Sequence, residues 1–141
     1  LDRGFILFTE LNHGFINPEA EQYYQRVDVI FADREFWVPE LDANAYSIPG
    51  AVFTEYLNWS LPSLYAMDQL DEEGVAALVT RVGDSMVERR GFARFREFNE
   101  ALMRLYEERA AGETAADLYP ALLDWAEAEW TANRDEAASA E

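Results

Sequence analysis

A chain of 141 residues, half of them apolar, holds enough material for one packed domain. Its 28 Asp and Glu stand against 11 basic residues, every one an arginine, and leave a net charge of −17. Such a surface repels phosphate backbones and anionic headgroups, which argues against nucleic-acid and membrane-surface binding. Cationic partners, divalent ions or a salty environment suit it better. Peptides and proteins stay open as partners.

No apolar run approaches the ~18 residues that cross a bilayer, so membrane insertion is not expected. Cysteine is absent, which excludes disulfides, a thiolate nucleophile and any Cys-based metal site. The first residue is Leu1, as in a processed product, an excised domain or a fragment.

Taken in chain order, Phe8, Leu11 and Phe15 recur at helical spacing, while Phe5-Ile6-Leu7-Phe8 could also form a strand end. Asn17-Pro18-Glu19 is a helix start: a capping side chain, Pro at the first position, and an acid at the positive dipole end. Ala20, Tyr23, Tyr24, Val27, Ile30 and Phe31 follow one face of that helix to about Glu35. From Phe36 to Ile48 the pattern lacks periodicity and predicts a loop.

Ser47-Ile48-Pro49 opens a helix with Val52, Tyr56 and Trp59 on one stripe. Pro62 is expected to break or kink it. Asp71-Glu72-Glu73 caps the next, whose face is Val75, Leu78, Val79, Val82 and Met86, and Gly91 ends it beside Arg89 and Arg90. A further helix carries Phe92, Phe95, Phe98, Leu102, Leu105 and Tyr106 and closes at Gly112. Thr114 starts the last, with Leu118, Leu122, Trp125, Ala126 and Trp130 inward.

The expected fold is therefore all-α or nearly so: five to six packed amphipathic helices, with any strand confined to the first dozen residues. One helical domain spans 1–133, and a frayed polar tail follows at 134–141.

Chemistry concentrates in Thr9-Glu10-Leu11-Asn12-His13. A zinc-peptidase helix reads H-E-x-x-H because residues four apart share one face, so two imidazoles grip one metal. The Glu between them takes a proton from the metal-bound water. The stretch resembles that arrangement. With Phe8, Gly14-Phe15-Ile16 and Asn17-Pro18 around it, it also resembles a bacterial family of gluzincin-type zinc metallopeptidases, over about residues 4–64.

The resemblance implies that Glu10 is the catalytic base, that His13 is a metal ligand, and that Glu55, on the helix opened at Ile48-Pro49, is the third ligand. It departs at the first ligand position. Thr9 offers a neutral hydroxyl, a poor zinc ligand, and His13 is the only histidine in the chain. No cofactor is expected from the residues as written, and zinc would require an intact site. The strand that lines the substrate groove in such peptidases has no counterpart here.

Each residue also has a plainer role. A lone His before Gly commonly ends a helix, and Glu10 and Glu55 suit solvated or dipole-favoured helix positions. Two main readings follow, a degenerate, inactive metallopeptidase-like domain or a helical interaction or structural module without a catalytic role; a third is an active hydrolase using an unusual metal set around His13, Glu10 and Glu55. Asp68 with Asp71, Glu72 and Glu73 lacks the spacing of a calcium loop and reads as a helix cap.

Overall fold

The structure is a computed structural model that describes residues 21–41 and 46–139. These form an all-α fold of six helices. In order they are α1 (Tyr24–Ile30), α2 (Arg34–Trp37), α3 (Pro49–Gln69), α4 (Glu72–Asp84), α5 (Phe95–Glu108) and α6 (Tyr119–Ser139). A π-helical turn, Ser85–Arg89, extends α4, and a 3₁₀ turn, Ala115–Leu118, leads into α6. The opening segment that holds Thr9, Glu10, His13 and the Asn17-Pro18 start signal lies outside the described residues.

The central element is α3. It packs against α1, α4 and α5, and α6 closes over α1 and α5. The predicted single stripe of Val52, Tyr56 and Trp59 is too narrow: Phe53, Leu57, Asn58, Ser60, Ser63 and Leu64 are buried as well. A helix covered on several sides buries positions all round. The same burial corrects the expectation for Pro62, because α3 runs through it unbroken to Gln69. A mid-helix proline costs ~3 kcal/mol, an amount that burying a few large side chains offsets.

The helix expected to reach Glu35 instead ends at Ile30, and a new turn begins. Asp33 Oδ1 accepts the Phe36 N–H at 3.1 Å and so caps α2. The Trp37 indole N–H donates to the Ile30 carbonyl at 2.8 Å, taking up a carbonyl at the end of α1. Phe36 and Trp37, predicted as loop, are thus helical and buried. Trp37 stacks on Phe31 with centroids 4.4 Å apart and meets Tyr56 edge-on at 5.5 Å.

Asp71 caps α4 by accepting from Gly74 N–H at 2.9 Å, as its sequence suggests. Phe92 is buried but precedes α5, which starts at Phe95. Thr114 and Asp117 form a capping box before α6. That helix continues past Asn133 through Arg134 to Ser139. Arg26 ties it to α1 through Asp124 at 2.6 Å and Glu127 at 2.7 Å.

Candidate functional site

Of the candidate site residues, Glu55 alone lies among the described ones; Glu10 and His13 do not. Glu55 sits in the second turn of α3, four residues before Trp59, so the two share a face. Its side chain is 12% exposed. Arg90 Nη2 donates to Glu55 Oε2 at 2.5 Å and to the Tyr46 hydroxyl at 2.6 Å. The same guanidinium lies over the Trp59 ring, 4.6 Å from its centroid, and 5.7 Å from that of Phe92.

Each member is delivered by a different local feature. Arg90 follows the π-helical turn, whose wider winding changes where the chain leaves α4. Gly91 comes next at φ +72, a left-handed conformation that lets the chain reverse. Tyr46 also holds a positive φ, 51, although it is not glycine. Its carbonyl accepts from Arg34 Nη1 at 2.6 Å, and its ring meets Phe92 edge-on at 5.4 Å. Burial pushes the Tyr46 phenol above its ordinary value, and the Glu55 charge adds to this while Arg90 opposes it.

Beneath the cluster, Tyr56 fastens the chain after Gly91 to α2. Its hydroxyl donates to the Trp37 carbonyl at 2.6 Å and accepts the Arg94 N–H at 3.1 Å. The Trp37 carbonyl also accepts the Ala93 N–H at 3.0 Å.

No group of three or more His, Asp or Glu is placed to hold a metal among the described residues. A scan against protein-family models, and searches of curated proteins and of solved structures, returned no match.

The sequence did not single out Arg90, Tyr46 or Trp59 as partners of Glu55. Arg90 reads there as a cation at a helix end, Trp59 as core, and Tyr46 as loop. Chemically, the cluster can hold a planar cation between a carboxylate, a phenol oxygen and an aromatic face.

Proposed function

We propose that this chain is a metallopeptidase-like helical domain without hydrolytic activity, in which Glu55 has become an ion-pair partner. The metallopeptidase likeness rests on the Thr9–His13 motif of the sequence, and the observation that carries the inactivity is the 2.5 Å contact between Glu55 and Arg90. A gluzincin ligand must present its carboxylate to a divalent ion. Here a fixed guanidinium already faces that carboxylate, and a second cation beside it would be repelled. Thr9 adds a neutral hydroxyl where an imidazole is needed. The donor set therefore does not fit zinc, and no hydrolytic step is assigned.

Zinc calorimetry and peptide-cleavage assays test the reading. The parent chain is expected to release zinc on dialysis and to leave unstructured peptides intact. Thr9→His restores the imidazole one turn before His13, and Arg90→Gln removes the guanidinium that faces Glu55. The chain carrying both should bind zinc at least about tenfold tighter than the parent, ~1.4 kcal/mol. Peptide cleavage by the parent would overturn the inactivity, and no gain in the double variant would overturn the peptidase resemblance.

The second reading, a helical interaction or structural module, is favoured by the same cluster in another respect. Glu55, Arg90, Tyr46 and Trp59 bind α3 to the chain segments on either side of it, a structural task complete in itself. The failed double variant is the outcome that selects it.

A further inference from the structure

We infer that Glu55, Tyr46, Trp59 and Phe92 form a guanidinium-binding site whose resident ligand is the chain's own Arg90. The inference rests on these residues alone and stands whether or not the peptidase resemblance does. Three kinds of contact converge on one planar group: a charge-assisted bond that Arg90 donates to the Glu55 carboxylate at 2.5 Å, one it donates to the Tyr46 phenol oxygen at 2.6 Å, and the Trp59 face at 4.6 Å. A guanidinium matches all three, since it is flat, carries donors in its plane and stacks on aromatic faces. An ammonium can satisfy the carboxylate but does not stack in the same way.

The backbone around the site is shaped to this end. Tyr46 is held in a left-handed conformation that bulky residues avoid, and that conformation accompanies the contact of its hydroxyl with Arg90. On the other side, the π-helical turn and Gly91 set the point from which Arg90 reaches in. Because Glu55 and Trp59 come from one face of α3, two walls of the site belong to the most buried helix and do not depend on Arg90 for their place.

The Arg90 side chain is 29% exposed, so the site opens to solvent. Removing it leaves an entrance for a small planar cation of the alkylguanidinium class. An arginine side chain presented by another protein belongs to that class and would have to displace Arg90. In the parent chain Arg90, supplied in cis, holds the Glu55 carboxylate.

The test uses the full chain with Arg90→Ala and methylguanidinium as the probe. The variant is expected to melt below the parent. Methylguanidinium at about ten times its Kd should restore roughly 5 °C to it. Methylammonium at equal concentration should restore less than half as much. With ionic strength held equal by NaCl, the parent, whose site is filled, should show no shift, and neither should Arg90→Ala with Glu55→Gln.

Equal recovery with methylguanidinium, methylammonium and sodium would reduce the effect to charge screening and overturn the inference. Should Arg90→Ala fail to fold, nuclear magnetic resonance of the parent decides. A filled site gives slowly exchanging Arg90 guanidinium protons with Overhauser contacts to the Trp59 ring, whereas solvent-like Arg90 signals overturn it.

Discussion

Tyr56→Phe removes one oxygen atom from the middle of the molecule and tests how the candidate site is supported. Tyr56 is 0% exposed, and its ring packs among Phe31, Trp37, Phe92, Phe95 and Phe98, with centroids 5.1–6.1 Å away. Phenylalanine keeps those ring contacts, so the change isolates the hydroxyl. Of its two partners, the Trp37 carbonyl retains the Ala93 N–H at 3.0 Å and stays satisfied. The part-buried Arg94 N–H loses its acceptor, because the carbon-bound hydrogen of phenylalanine cannot accept.

An unsatisfied buried donor costs about 1–3 kcal/mol. The unfolding entropy of a chain this long is roughly 0.3 kcal/mol/K, so the melting temperature should fall by roughly 3–10 °C. Urea melts followed by circular dichroism would give the same loss as a lower midpoint with an unchanged slope. A midpoint within 1 °C of the parent, read as about 0.3 kcal/mol or less, would refute the assignment.

The pH dependence supplies a second readout of the same substitution. Burial holds the Tyr56 phenol well above the ordinary value of 10.0. Above that value the unfolded chain releases a proton that the folded chain keeps, so unfolding becomes easier as pH climbs. The contribution is whole below pH ~10 and declines above it by up to about 1.4 kcal/mol per pH unit. Tyr56→Phe should make the alkaline loss of stability shallower, leaving the shares of Tyr46 and Tyr106, which are also raised.

Other expectations concern charge and backbone. Added NaCl should raise the melting temperature, because the Debye length shrinks from about 10 Å at 0.1 M to 3 Å at 1 M while self-repulsion from a charge of −17 is screened. A flat curve would mean that self-repulsion among the acids does not limit stability. Gly91→Ala should destabilise by about 1–2 kcal/mol, since the left-handed region disfavours a Cβ. The added carbon would also lie 3.2 Å from Glu40 Cβ. A denaturant midpoint equal to the parent's would show that the turn after Arg90 can relax.

What the sequence determined by itself was local. Helical periodicity, the Asp71 cap, the Gly91 reversal and the Thr114 start are written in neighbouring residues, because capping and amphipathicity act over a turn or two. The all-α class follows from them. The surroundings decided the rest. Pro62 is tolerated because α3 is enclosed, and no property of the proline itself announces that. Phe36 and Trp37 look like loop until Phe31 and Tyr56 supply the faces Trp37 packs on, and Trp37 in turn meets Phe36 edge-on.

Glu55 stood out in the sequence only through its resemblance to a metal ligand, while its partners Arg90 and Tyr46 lie 35 residues after it and 9 before it. Pairings at that separation leave no local trace. A carboxylate's role depends on which cation the fold brings to it, and here tertiary structure brings Arg90.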